Sequence, residues 1–438
     1  MHFLFKVIIV FMIIFNWRLE YVYNSVFLAM IITTIYYIYD TGFIPFKYFF
    51  QRYNATILIA SVLLTVLVFA IPVIHGTTVV TTYEKRIWVQ FLMLFAMIYA
   101  LPLLIKGEEE VAFERISVII CYTFALQGLI HLTGFLVPAV GDFLFEMKPI
   151  ELQRAVMNPD NHIARFRAYS MTGSVFFELP AAYGVAAILF FRLMLYKDQQ
   201  YITGWRTFII TFFILAGISL SGRTGFIGFG VGLGLWLLFN YKRIVHVLLQ
   251  NAGKIIIIVA FFTVTFNFII SPSQRQAFND DLFPYAFEFY YNWRDHGRLS
   301  TTSSDINFSE EFYYPMRDET LFAGHGLERD ELELVGYNST DAGYMRSIMF
   351  GGIPFLLCLI FYQGLFFYKP LLVSNSGGTR ASEKDFWCFL FLFIYMFFLH
   401  LKENAMGIVH IVETLYIAAG SSYLIRYYSR DEGTEFCE

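Results

Sequence analysis

The stretch FNDDLFPYAFEFYYNWRDHGRLSTTSSDINFSEEFYYPMRDETLFAGHGLERDELELVGYNSTDAGYMR (residues 278–346) is polar, charged and aromatic, whereas most of the chain is apolar. Apolar runs long enough to cross a membrane precede it and resume after it. Of 438 residues, 57% are hydrophobic and only 15% are charged, whereas soluble domains carry roughly a quarter charged residues. The sequence therefore predicts an all-α integral membrane protein with one large loop in water.

About twelve stretches have the length and apolar character of transmembrane helices. They are residues 3–17, 21–39, 55–75, 87–105, 116–138, 175–196, 207–222, 225–241, 254–271, 347–368, 386–401 and 406–427. We interpret the N-terminal stretch as the first of these helices and not as a cleaved signal peptide. The chain, 1–438, is then a single polytopic membrane domain.

The short connections between these stretches set the predicted orientation, because Lys and Arg concentrate on the cytoplasmic side. With the N-terminus inside, every cytoplasmic connection contains basic residues, and both termini are cytoplasmic. The two long loops, 139–174 and 272–346, then both lie on the outer side of the membrane.

Several classes of function receive little support. The net charge of −4 argues against a nucleic-acid partner. The four cysteines lack metal-ligand spacing, so we expect neither a metal nor another cofactor. The glycine run at 225–234 follows no strand, and we interpret it as a helix-packing surface rather than a phosphate loop. A lack of internal repeats weakens a transporter interpretation.

Arginines in the first long loop form one candidate site, with Arg154, Arg165 and Arg167 within fourteen residues. Guanidinium groups match phosphate oxygens in a bidentate manner. The alternative is a basic patch against lipid headgroups. Glu178 and Pro180 begin the next helix. A carboxylate and a proline are also common in a first helical turn for purely structural reasons.

Arg223 marks a second candidate site, in the turn SLSGRTG (219–225) between two apolar segments. Ionisable residues at the edge of the membrane are costly and usually functional. The competing interpretation is an arginine that reaches the headgroups from a purely structural turn.

The end of the large loop supplies a third set: His325, Asp341, Tyr344 and Arg346. Asp341 is either a general base, kept ionised by Arg346, or only the residue that starts the next helix. His325 lies between two glycines and has a structural alternative as well.

Two further sets of residues keep two interpretations each. The loop aromatics either stack on sugar rings or pack the core of the loop; they are Tyr290, Tyr291, Trp293, Tyr313 and Tyr314. A set of polar residues at membrane depth is either a proton relay or a hydrogen-bonded seam between helices. That set comprises His131, His400, Lys402, Glu403, His410 and Glu413.

The order of these motifs resembles the O-antigen polymerases (Wzy-type) of Gram-negative inner membranes, within their superfamily with the O-antigen ligases. An outer-loop arginine, Arg167, precedes a helix that begins Glu-x-Pro, and an S-G-R-T-G turn with Arg223 follows. The large loop then ends in T-D-x-G-Y before a G-G-I helix. The motifs cover roughly residues 150–365.

The resemblance implies a membrane fold of the lipid-dependent glycosyltransferase type and chemistry on undecaprenyl-diphosphate-linked oligosaccharides at the periplasmic face. Arg167 and Arg223 would stabilise the diphosphate leaving group, with Arg154, Arg165 and Arg346 as secondary contacts. Glu178 and Tyr344 would be substrate-binding residues, and Asp341 would lead His325 as the base. Membrane lipid and a chain-length regulator are the other partners to consider.

Two alternatives stay open. An O-antigen ligase would transfer the glycan to lipid A core, but its motif has a histidine where this chain has Asp341. A transporter or flippase of lipid-linked oligosaccharide belongs to a different class.

Overall fold

The computed structural model describes most of the chain. It covers residues 2–19, 23–41, 49–77, 82–148, 153, 169–172, 177–196, 202, 204–243, 253, 256, 272–277, 279–280, 283–298, 305, 313, 315–327, 332–333, 335–337, 340–376, 380–406 and 410–430. Structural statements below concern these residues.

Helices dominate the described residues. They are α1 (Phe3–Phe15), α2 (Ser25–Thr41), α3 (Arg52–Ile74), α4 (Thr82–Ile105), α5 (Ala112–Leu136), α6 (Pro138–Glu146), α7 (Glu178–Leu193), α8 (Trp205–Ser221), α9 (Thr224–Asn240), α10 (Pro272–Ala277), α11 (Phe283–Ala286), α12 (Glu288–His296), α13 (Asp318–Ala323), α14 (Gly343–Ser376), α15 (Arg380–Lys402) and α16 (His410–Arg430). Short 3₁₀ turns cover Glu109–Val111 and Tyr241–Arg243. Two-residue strands, β1 (Arg18–Leu19) and β2 (Tyr23–Asn24), pair antiparallel.

Eleven of the twelve predicted spans coincide with helices, and the remaining one, 254–271, lies outside the described residues except for residue 256. Among the residues that the structure describes, five helices are long and apolar enough to cross a membrane. They are Arg52–Ile74, Ile87–Ile105, Glu109–Leu136, Gly343–Ser376 and Ala381–Lys402. The protein is thus an all-α, multi-pass membrane protein. The total of about twelve crossings stays a prediction.

The chain forms two compact units. The first contains residues 1–14, 26–116 and 300–438, and the second contains 15–25 and 117–299. Each unit is described by itself below.

Ion pairs in the first unit join helix ends that the predicted topology assigns to the cytoplasm. Arg426 near the end of α16 pairs with Glu114 at the start of α5, at 2.5 Å, and with Asp385 at the start of α15. Lys106, just after α4, pairs with Asp40 at the end of α2. The end of α16 thus lies beside the starts of α5 and α15, and the ends of α2 and α4 lie together, while the orientation in the membrane stays a prediction.

Glycines in the second unit let α7 and α9 pack with their backbones in contact. A Cβ atom built on Gly228 would lie 2.2 Å from the Cα of Gly184, and one on Gly225 would lie 3.0 Å from the carbonyl oxygen of Pro180. The contacts advance together along both helices, so the helices run parallel with their N-termini side by side. The glycine run is therefore a packing surface, as its sequence predicts.

We predict that Gly228→Ala destabilises the protein by about 1–3 kcal/mol, because the added methyl group would push apart two backbones in contact. Gly230→Ala is the matched control, since a Cβ there meets nothing within 4 Å. Alanine at that helical position is favoured over glycine by up to about 1 kcal/mol. Thermal unfolding in detergent measures both effects, and equal melting temperatures for the two variants would contradict the packing account.

Candidate functional site

Arg223 lies in a tight turn in the second unit, between α8 and α9. Gly222 has φ of 152°, a conformation that favours glycine, and it lets the chain reverse within two residues. The Arg223 side chain is only 13% exposed and forms an ion pair with Glu288, the first residue of α12. A guanidinium group is therefore held in place at the junction of two apolar helices by a carboxylate of the large loop.

Glu178 begins α7, as the sequence predicts, and the structure buries it. Because α7 and α9 pack in parallel from Pro180 and Gly225 onward, Glu178 and Arg223 lie at the same end of the second unit. A carboxylate in a first helical turn also interacts favourably with the helix dipole.

Lys148 is a buried residue of the first long loop that the sequence analysis did not single out. Its Nζ donates to the carbonyl oxygens of Ser170, at 2.6 Å, and Thr172, at 2.5 Å. Burial lowers the pKa of Lys148 from its ordinary value of 10.5 to about 7. Nothing in the local sequence distinguishes it from a solvated loop lysine.

The segment that Lys148 binds follows Arg167 by two residues. Tyr169 in this segment packs against Phe135 and Leu220, and the Thr172 hydroxyl donates to the carbonyl oxygen of Phe15 at 3.0 Å. The segment 169–172 is thus fastened at several points. The three predicted arginines of this loop, Arg154, Arg165 and Arg167, lie outside the described residues.

The first unit contains a second group of predicted residues, at the start of α14. Arg346 is 4% exposed and pairs with Glu403, just after α15, at 2.5 Å. Glu403 is thus an ion-pair partner of Arg346 that the sequence analysis did not name, and the expected pairing of Arg346 with Asp341 stays a prediction. Asp341 lies just before α14 and Glu403 just after α15, where the start of one helix meets the end of the other.

The start of α14 lies directly against the end of α15. A Cβ atom on Gly343 would lie 2.4 Å from the carbonyl oxygens of His400 and Glu403, which explains glycine at this position of the T-D-x-G-Y motif. Thr340 Oγ1 accepts a hydrogen bond from the backbone N–H of Ala342 at 3.1 Å, just before the helix begins. Asp341 is half-buried two residues before the helix.

Tyr344 and His400 form an aromatic contact between the same two helices. The rings meet edge to face at 4.7 Å. The Nδ1 atom of His400 accepts from the backbone N–H groups of Ala405 and Met406, both at 3.1 Å, which leaves Nε2 as the donor to Ser347 Oγ at 3.2 Å. His400 is therefore a neutral residue that closes the end of α15.

His325 and Gly326 bind a kink in α14 through their backbones. Gly351 and Gly352 have non-helical backbone angles, and Pro354 has no N–H for the carbonyl oxygen of Phe350. The N–H of Gly326 donates to that oxygen at 2.9 Å, and the N–H of His325 donates to Met349 O at 2.7 Å.

The His325 side chain has polar neighbours of its own. Its Nε2 lies 2.9 Å from Thr320 Oγ1, which also shares a hydrogen bond with Tyr337 OH at 2.8 Å. Partial burial, followed by the charges of His75 and Arg317, lowers the pKa of His325. The ring therefore stays neutral at physiological pH.

The structure separates the loop aromatics into two kinds. Tyr313 packs on an apolar cluster of the large loop and its OH donates to the carbonyl oxygen of Leu401 at 3.2 Å. Tyr290 and Trp293 of α12 are exposed, at 47% and 53%. Tyr314 lies outside the described residues.

Glu413 belongs to a buried hydrogen-bonded seam between helices of the first unit. Gln90 of α4 and Gln363 of α14 both donate to its carboxylate, and Gln90 also donates to Tyr362 OH at 2.8 Å. These contacts agree with the seam interpretation of the intramembrane residues.

Each unit therefore places an arginine and carboxylates at the ends of apolar helices, an arrangement suited to binding an anion or a hydroxyl-bearing ligand. Within the described residues, no group of three or more His, Cys, Asp or Glu side chains is arranged to hold a metal ion. Comparisons of the chain with protein-family models, with curated proteins and with solved structures give no match.

We predict that the melting temperature contains a pH-dependent contribution from Lys148. Between pH 7 and 9 the unfolded lysine keeps its proton while the folded one loses it, so the unfolded state binds more protons and stability rises with pH. Lys148→Met should lose this rise.

Lys106→Met is the matched control, because its exposed partner Asp40 raises the pKa of Lys106 and so leaves both states protonated in this window. Melting curves of the detergent-solubilised protein at pH 7 and 9 measure the difference. The same slope in wild type and Lys148→Met would mean that Lys148 keeps an ordinary pKa.

Proposed function

We propose that the chain is an O-antigen polymerase, a glycosyltransferase that joins oligosaccharide repeat units carried on undecaprenyl diphosphate. In this proposal about twelve helices cross the bacterial inner membrane, and the loops 139–174 and 272–346 face the periplasm. The donor is a growing glycan on the lipid carrier, and the acceptor is a single repeat unit on the same carrier. A chain-length regulator is a further candidate partner.

The observation that carries the proposal is the position of Arg223. Its guanidinium group is largely buried, held by Glu288 and placed at the junction of two apolar helices. A lipid-linked diphosphate has its lipid among the helices and its charge at their ends, where such an arginine lies. A fixed arginine can stabilise a phosphate leaving group without reorganising during the reaction.

The proposed reaction needs two kinds of assistance. An acceptor hydroxyl attacks the anomeric carbon of the donor, a new glycosidic bond forms, and the bond to the diphosphate oxygen breaks with its electron pair on the leaving group. Arg223 and Arg167 are the proposed stabilisers of that charge, with Arg154, Arg165 and Arg346 as secondary contacts. The hydroxyl proton passes to a base, for which Asp341 is the first choice and His325 the second.

The alternatives rest on different expectations. An O-antigen ligase would share the donor and the arginines but use a histidine where the motif has Asp341. A transporter or flippase of lipid-linked oligosaccharide would pass its substrate through the bilayer, whereas Arg223 and Glu288 lie at helix ends. The Glu413 seam is the feature of the first unit that a transporter could use.

Deletion of the gene in its host separates these classes. A polymerase deletion should leave lipopolysaccharide capped with one repeat unit, because ligation continues without polymerisation. Complete loss of O-antigen would indicate a ligase, and an unchanged ladder would indicate another function. Complementation with wild type should restore the ladder.

Complementation with Arg223→Ala should fail, and Arg223→Lys should restore little, because a point charge does not reproduce the guanidinium fork. Glu288→Gln should keep partial activity, since it removes the carboxylate that positions Arg223 and leaves the guanidinium group that would bind the anion. Arg294→Ala is the matched control, because that exposed arginine pairs with its neighbour Asp295. Long O-antigen ladders from Arg223→Ala at normal expression would contradict the proposed diphosphate-binding role of Arg223.

Asp341→Asn and His325→Ala distinguish the two candidate bases. We expect Asp341→Asn to lose polymerisation, since it keeps size and removes the basic carboxylate. His325→Ala should keep most activity, because its described contact with α14 is made by the backbone N–H, which alanine retains.

The structural alternative for Asp341 predicts only a capping loss of about 1 kcal/mol and a normal ladder. Ladder length at matched expression decides between the accounts. An active Asp341→Asn beside an inactive His325→Ala would transfer the role to the histidine.

A further inference from the structure

The short helix α12 carries an exposed aromatic face. Phe289, Tyr290 and Trp293 are 45%, 47% and 53% exposed, and the spacing i, i+1, i+4 places them on one side of the helix. Glu288 and Asn292, four residues apart, lie on the other side with Asp295. The helix is therefore amphipathic, although it belongs to a loop that is polar overall.

Further exposed aromatics precede the helix. Phe283 and Phe287 are 39% and 37% exposed, and their rings lie 4.7 Å apart. Five exposed aromatic side chains thus occur within eleven residues, and three of them are phenylalanines that cannot hydrogen-bond. Contiguous apolar surface of this kind marks an interaction site and not ordinary solvated surface.

The ion pair between Glu288 and Arg223 fixes the position of the N-terminus of α12 along the axes of the apolar helices α8 and α9. Arg223 joins two apolar helices of 17 residues each, α8 and α9, and each is about 25 Å long. That length approaches the hydrocarbon thickness of about 30 Å, so the junction of the two helices lies near a membrane surface. The N-terminus of α12 is therefore held near the same surface.

We propose that α12 lies in the membrane interface, with Phe289, Tyr290 and Trp293 inserted at the boundary between phospholipid headgroups and acyl chains. Aromatic rings with one apolar and one wet side favour this region. The charges of α12 and its end are balanced, since Glu288 and Asp295 offset Arg294 and Arg298. Insertion of rings, and not attraction to anionic lipid, then supplies the affinity. The inference does not depend on the reaction that the protein catalyses.

Photocrosslinking tests the proposal. Phe289, Trp293 and Asp295 are each replaced by p-benzoylphenylalanine, and the full-length protein is reconstituted in nanodiscs of phosphatidylethanolamine and phosphatidylglycerol. Asp295 is the control position, because it is exposed on the opposite face of the same helix. Size-exclusion chromatography confirms that each variant is folded, and two positions on the aromatic face make the test independent of one variant.

We expect several-fold more phospholipid adduct at 289 and 293 than at 295, with little change between low and high salt. Equal adducts at the three positions, or none at 289 and 293, would overturn the proposal. Adding purified lipid-linked oligosaccharide gives a further outcome. If the adducts at 289 and 293 move from phospholipid to the glycan, the face binds sugar and the membrane assignment is wrong.

Discussion

A backbone carbonyl that loses its helical partner inside an apolar protein must find another donor, because leaving it unsatisfied costs several kcal/mol in lipid. The kink in α14 meets this constraint with donors from the large loop. The kink at Gly351 and Gly352 receives the N–H groups of His325 and Gly326. Without these donors α14 could not bend at the level where the large loop meets it.

The same constraint explains the contacts of two buried polar side chains, His400 and Lys148. His400 accepts the backbone N–H groups that follow α15, and Lys148 donates to the carbonyl oxygens of Ser170 and Thr172. Each of these side chains has its hydrogen-bonding atoms engaged with the chain itself. The arginines and carboxylates at helix ends are paired within the chain as well, Arg223 with Glu288 and Arg346 with Glu403.

Close helix packing determines where those arginines and carboxylates lie. Gly228 against Gly184 brings the N-termini of α7 and α9 together, and with them Glu178 and Arg223. Gly343 lets the start of α14 approach the end of α15, and this contact brings Arg346 to Glu403. In a membrane, where apolar burial does not drive helices together, small residues at such contacts permit the association.

The sequence by itself determined the helical class, the positions of the apolar helices and the turn at Arg223. These properties follow from local patterns: runs of about 20 apolar residues and glycine at a reversal. Only the tertiary structure paired Arg223 with Glu288, gave Arg346 a partner in Glu403 and buried Lys148. Those pairings join residues far apart in the chain, and their side chains look like solvated loop charges until the fold places them. The physical reason is that hydropathy is a property of each residue and its neighbours in the sequence. An ion pair depends on which helix ends the packing brings together.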